Sequence, residues 1–169
     1  ALGMTFMTFV GQNYGAQKYD RIKAGVRMGV LLSILIHIPL SAVEIFGGKR
    51  IASLMVTDPP VLELCRQYLL IVGIFVFFLG FLMVFRNCIQ GMGNTWIPML
   101  SGGLEVISRL IFGYWLGRHS FMGIAAAEAS AWISVSIMLG SSFFILFRKV
   151  LRTQTPENAT DTENIGRVS

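Results

Sequence analysis

From Gln67 to Phe85 the chain runs nineteen residues without a charge, and Arg66 and Arg86 stand at its two ends. An α-helix of that length is about 28 Å long, close to the roughly 30 Å hydrocarbon core of a bilayer. In that solvent the backbone must be satisfied inside the protein, so the run is either a helix or one strand of a closed barrel. A barrel strand alternates apolar and polar residues. The stretches Leu69-Leu70-Ile71-Val72 and Phe75-Val76-Phe77-Phe78-Leu79 do not. The run reads as a transmembrane helix.

Three further stretches have the same character. Met28 to Phe46 carries only His37 and Glu44 as ionisable residues, 97–117 contains Glu105 and Arg109, and 121–147 contains only Glu128. The first ten residues are apolar from the start, without the charged opening and small-residue cleavage site of a signal peptide. They read as the end of a further helix in a piece of a longer protein. Apolar residues make up 54% of the chain and charged ones 14%, against about 25% charged in a soluble domain. A chain of this size could not hide so much apolar surface from water. The expected fold is all-α: a polytopic membrane helix bundle with four full transmembrane helices (28–46, 67–85, 97–117, 121–147) and the end of a fifth over 1–10. Residues 152–169, polar and with almost nothing to bury, are expected to form a disordered tail.

The links are short. Gly47-Gly48-Lys49-Arg50 and Thr57-Asp58-Pro59-Pro60 frame the first, with the prolines and Glu63 marking a helix start. Gln90 to Thr95 and Gly117 to Ser120 supply the others. Such links make consecutive helices antiparallel neighbours. The net charge of +5 has no aromatic-interleaved basic face, so nucleic acid is excluded as a partner. The basic residues lie instead at the ends of apolar runs. Lys18, Arg21, Lys23, Arg27, Arg86, Arg148, Lys149 and Arg152 fall on one side; Lys49, Arg50, Arg66 and Arg118 fall on the other. Eight against four puts the Lys18 side and the C-terminal tail in the cytoplasm. The sequon Asn158-Ala159-Thr160 has no use there. Cys65 and Cys88 sit at opposite ends of one helix, too far apart for a disulfide.

Two stretches resemble the multidrug and toxic compound extrusion (MATE) family of antiporters. One is Val10-Gly11-Gln12-Asn13-Tyr14-Gly15-Ala16-Gln17-Lys18-Tyr19-Asp20-Arg21-Ile22, similar to the family signature at the cytoplasmic end of the second helix of each half. The other runs from Phe85 to Met99 through Arg86, Gln90, Gly91 and Gly93, and is similar to a cytoplasmic link late in the C-terminal half. Gly102-Gly103-Leu104-Glu105, Arg109, Gly123 and Trp132 also resemble bacterial members. The resemblance implies a twelve-helix transporter in two six-helix lobes. The spans here become helices nine to twelve, a partial C-terminal lobe whose first partner is the N-terminal lobe of the same protein. It further implies a multi-pass protein of the bacterial inner membrane that exports organic cations or drugs in exchange for H⁺ or Na⁺, with no cofactor. The fragment alone is expected to be inactive. Family acids on the first and seventh helices lie outside this sequence, and 67–85 lacks the aspartate some members carry. A lipid-linked precursor flippase of the same superfamily, and a non-transporting structural membrane subunit, are the alternatives.

An enzyme is the weakest class, since no HExxH, Gly-x-Ser-x-Gly or phosphate loop occurs. Charged groups inside a bilayer are costly and need a reason. Glu105 and Arg109, four apart, share one helix face. Either they neutralise each other and lock packing, or Glu105 faces an aqueous cavity and responds to a coupling cation. Glu128, among alanines, is either held against a partner helix or solvated near the interface. Glu44 is near enough to its span end to reach water. His37 is either a hydrogen-bonded packing residue or a proton acceptor near neutral pH, and Pro39 is expected to kink its helix. In the motifs, Gly11 and Gly15 suit a tight helix exit and Gly91 and Gly93 a chain reversal. Lys18, Arg21 and Lys23 suit an anionic leaflet surface.

Overall fold

The computed structural model describes residues 2–118 and 120–154. Five helices follow one another: α1 (Leu2–Gly15), α2 (Tyr19–Ser53), α3 (Pro59–Gly91), α4 (Trp96–Gly117) and α5 (Phe121–Gln154). No strand occurs among the described residues, and the chain is an all-α membrane bundle. Three helices, α2, α3 and α5, are long and apolar enough to cross a membrane. The fourth expected span, α4, falls short because Glu105 and Arg109 dilute the hydropathy of its 22 residues. Its length of about 33 Å still suffices.

The helices overrun the expected spans. Gly47-Gly48-Lys49-Arg50, read as a link, is helical, and α2 continues to Ser53. Gly48 is buried where α2 meets α3: a Cβ there would stand 3.1 Å from Leu69 Cβ. The glycine marks close packing, and the real link is 54–58. Beyond it α3 begins as its sequence requires, with Asp58 in an extended conformation and Pro59 and Pro60 in the first turn. Arg66 then grips Glu63, its Nη2 donating at 2.6 Å. At the far end of the chain, α5 carries Arg148, Lys149 and Arg152 on its last turns. Residues 152–154 of the expected tail continue α5 as helix; the rest of the tail, including Asn158, and His119 lie outside the described residues.

Helix α3 is the hub, packing against α1, α2 and α5. The antiparallel pairing expected of neighbours holds for α2 with α3 and α4 with α5, but α4 hardly touches α3. The reason is that α5 takes that flank. Ser136 Oγ of α5 donates to the Phe78 carbonyl of α3 at 2.9 Å. Trp132, Val135, Leu139 and Phe143 of α5 share the core with Leu82, Cys88 and Ile89 of α3. The phenylalanines of α3 are part of this packing, Phe85 lying 5.6 Å from Phe143 between ring centres. Lys23 of α2 rests 5.9 Å over the Phe147 ring, which brings the start of α2 beside the end of α5.

The two motifs meet at a helix crossing. Gly11 and Gly91 face each other, and a Cβ at Gly91 would sit 2.6 Å from the Met7 carbonyl oxygen. Their role is close approach of α1 and α3, not the turn expected from sequence. Gly15 ends α1 with open space around it, and the left-handed residue of that reversal is Gln17 (φ 56°). Gly93, at φ 84°, does make its reversal as a glycine should. Just beyond, Asn94 Oδ1 accepts from the Ile97 amide at 3.1 Å and so caps the start of α4. Asn94→Ala should therefore cost about 1 kcal/mol, read as a lower unfolding free energy in bicelles. An unchanged value would show that the cap is idle.

Candidate functional site

Four charged side chains form a ladder across the inside of the bundle. Arg86 Nη2 of α3 donates to Glu105 Oε2 of α4 at 3.1 Å, and to Ser101 Oγ at 3.3 Å. The other oxygen of Glu105 accepts from Arg109 Nη2 at 2.9 Å, one turn along the same helix. Arg109 Nη2 donates again, at 2.7 Å, to Glu128 Oε1 of α5. Glu105 is the most enclosed member, with 17% of its side chain exposed. It stands nine residues into α4, about 13 Å from the helix start, where an unpaired charge would be most costly.

Local sequence explains why the ladder closes. Spacing of four places Glu105 and Arg109 on one face of α4. Ala127, buried on α5, stands opposite Gly113 of α4, and such small residues let the two helices approach closely. Glu128 is thereby held against a partner helix and bonded to Arg109. Arg86, counted from sequence among the basic residues flanking the spans on the cytoplasmic side, turns inward with 22% of its side chain exposed. Its part in the ladder was missed because a flanking arginine gives no sign of the direction it points. Tyr68 lies within electrostatic reach of Arg109 and Glu128. Two arginines and two glutamates leave the ladder neutral, and it ties α3, α4 and α5 together. The Nε atoms of Arg86 and Arg109 are buried and make no hydrogen bond among the described residues.

His37 is not part of this ladder. It lies between α2 and α3, its Nδ1 2.7 Å from the Ser33 carbonyl oxygen, and it lines a cleft of about 410 Å³ between α1, α2 and α3. Pro39 sits within the continuous α2. Glu44, expected to reach water, has Oε2 buried and unbonded, because α2 runs on to Ser53. Among the motif residues, Gln12 and Arg21 are exposed, and the Gln90 carbonyl accepts from the Gly93 amide at 2.9 Å. Tyr14, Gly93, Asn94, Trp96, Leu146 and Val150 border a second cavity, of about 310 Å³, where both motifs meet the end of α5.

The family model described as MatE matches residues 1–115. The chain is 23% identical over 149 residues to a protein named probable multidrug resistance protein NorM from Thermotoga maritima, covering 86% of this chain and 31% of that protein. It is 25% identical over 164 residues to the one so named from Aromatoleum aromaticum, covering 92% and 35%. A protein named FAD transporter from Shewanella oneidensis is 31% identical over 94 residues, 53% of this chain and 20% of its own length. The chain thus spans about a third of the length of the first two relatives. No solved structure matches.

Proposed function

The chain belongs to the MatE family, and from that premise we propose that it forms part of the C-terminal lobe of a secondary antiporter. The transporter exports organic cations or drugs in exchange for H⁺ or Na⁺. The observation that carries this reading is the likeness to the two NorM proteins over most of the chain. The ladder fits it. Alternating access needs lobes that rock largely as rigid bodies, and a neutral, interlocked set of charges stiffens α3, α4 and α5 without presenting a net charge to lipid. In this reading the Lys18 end and the end of α5 face the cytoplasm of a bacterial inner membrane. Glu105, Arg109 and Glu128 serve packing, while His37 remains a candidate for coupling.

The test is dye efflux from vesicles containing the full-length protein. An imposed proton or sodium gradient should move a fluorescent cation within the assay time, and an unmoved dye distribution rejects multidrug antiport. The S. oneidensis relative supports a second reading, in which the cargo is FAD. Retention of the dye together with gradient-driven FAD movement would select it.

A further inference from the structure

On α2, Ser33, His37, Ser41, Glu44 and Gly48 recur at spacings of four, four, three and four, which sets them on one face. That face is pressed against glycines of α3. A Cβ at Gly80 would collide with the Ser33 hydroxyl and the His37 ring, and one at Gly73 would lie 3.1 Å from Glu44 Cβ. Ser41 Oγ donates to the Gly73 carbonyl at 2.6 Å. The two glycines hold open a narrow polar seam in an otherwise apolar interface.

Two groups in this seam have unused acceptor capacity. The Ser33 carbonyl can only accept, so His37 Nδ1, 2.7 Å away, bears the proton of that contact. The neutral ring then keeps a lone pair on Nε2. Glu44 Oε2 is buried and makes no hydrogen bond among the described residues, nine residues, or about 13 Å, inside the end of α2. His37 and Glu44 lie within electrostatic reach of each other. No other charge offsets Glu44 from the packed elements. The described length of α1 carries no charged residue, and α3 carries none between Arg66 and Arg86. Tyr68, the titratable group in that run, lies toward Arg109 and Glu128. Along α2 itself the nearest cations are Arg27 and Lys49.

We propose that this seam between α2 and α3 is a proton-binding site, in which Glu44, on the same face as His37, takes up one H⁺. Uptake of one proton from water takes the seam from one negative charge to neutral. The proton forms the O–H bond of a Glu44 carboxylic acid, while the neutral His37 imidazole on the same face keeps its Nε2 lone pair. Seven residues separate the two groups, a rise of about 10 Å. Ser41 lies between them, its oxygen able to accept while its proton is given to Gly73. His37 and Ser33 border the cleft between α1, α2 and α3, whose lining is mainly apolar, with Phe6, Phe9, Leu32 and Met83 among its walls. A half-buried site that is charged only when empty is suited to bias a bundle between two packings. That use in coupling rests on the antiport reading; the protonation does not.

The test is pH-difference infrared spectroscopy of the full chain in phosphatidylcholine liposomes. A protonated-carboxyl band should grow as pH falls across roughly pH 9 to 4, the range in which such groups titrate. It should vanish in Glu44→Gln, and its midpoint should move by about one pH unit, a tenfold change in proton concentration, in His37→Asn. A band untouched by Glu44→Gln, or a His37→Asn titration that overlays the parent, overturns the proposal. Should either variant fail to insert, the ¹³C carboxyl resonance of Glu44 in the unaltered chain decides it: it must titrate, and a single state throughout rejects the site. A titrating band in a protein that moves no dye would reject transport and leave the site. Dye efflux with unchanged proton dependence in Glu44→Gln would do the reverse for coupling.

Discussion

Glu105→Leu is expected to be the most damaging single change in the ladder, lowering the unfolding free energy by about 3–5 kcal/mol. Both oxygens of Glu105 are engaged, one by Arg86 and one by Arg109. Its loss leaves Arg86 with only the Ser101 hydroxyl and puts a net positive charge inside the bundle. A neutral interhelical bond such as that of Ser136 is worth far less, on the order of 0.6 kcal/mol, because an unfolded chain within the membrane finds other partners. An uncompensated guanidinium does not find them so easily. The converse experiment is more discriminating. Glu105→Leu combined with Arg86→Leu restores neutrality, with Arg109 still bonded to Glu128. The double variant should recover much of the loss, giving a coupling energy well above the roughly 0.5 kcal/mol at which independent sites add. Steric-trap or SDS unfolding in bicelles reads both values. A single-variant loss below 1 kcal/mol would mean that the ladder does not hold α4.

Gly91→Leu is expected to undock α1. The added Cβ meets the Met7 carbonyl oxygen at 2.6 Å and Val10 Cβ at 2.8 Å, so backbone, not a flexible side-chain end, must give way. Overpacking of this kind costs about 1–3 kcal/mol. The branched side chain beyond Cβ takes the expected loss to the upper part of that range. Gly15→Ala is the matched control, since nothing lies within 4 Å of its Cβ position, and it should be neutral within about 0.5 kcal/mol. A second readout is proteolysis at the Ala16–Lys18 turn, which should accelerate only in Gly91→Leu. Equal stability and equal cleavage in the two variants would show that α1 does not cross α3 at this glycine.

The sequence was most legible where a single helix carries its own evidence. The uncharged run 67–85, the Asp58-Pro59-Pro60 start, the Gly93 reversal and the Glu105–Arg109 spacing all express properties of one segment, and each has its counterpart in the structure. What depended on the relative rotation of two helices was hidden. Arg86 and Glu105 are nineteen residues apart, as are Arg109 and Glu128, and no periodicity within one segment links them. Glycine misled for the same reason. Gly11, Gly48 and Gly91 look like turn residues in a one-dimensional string, yet each is where another helix comes close. Extending α2 through Gly47 and Gly48 also moved Glu44 inward, and with it the meaning of that side chain.

The division of partners along the ladder also orders the birth of the bundle. An arginine at the centre of a nascent helix costs about 2.5–3.5 kcal/mol at the moment of insertion. When α4 leaves the ribosome, Arg86 has already been made and takes one oxygen of Glu105, leaving Arg109 the other. The second partner of Arg109 emerges only with the early turns of α5. Helix α4, whose Arg109 pairs with Glu128 of α5 and which has few contacts with α3, is therefore expected to commit to the membrane together with α5, as one hairpin.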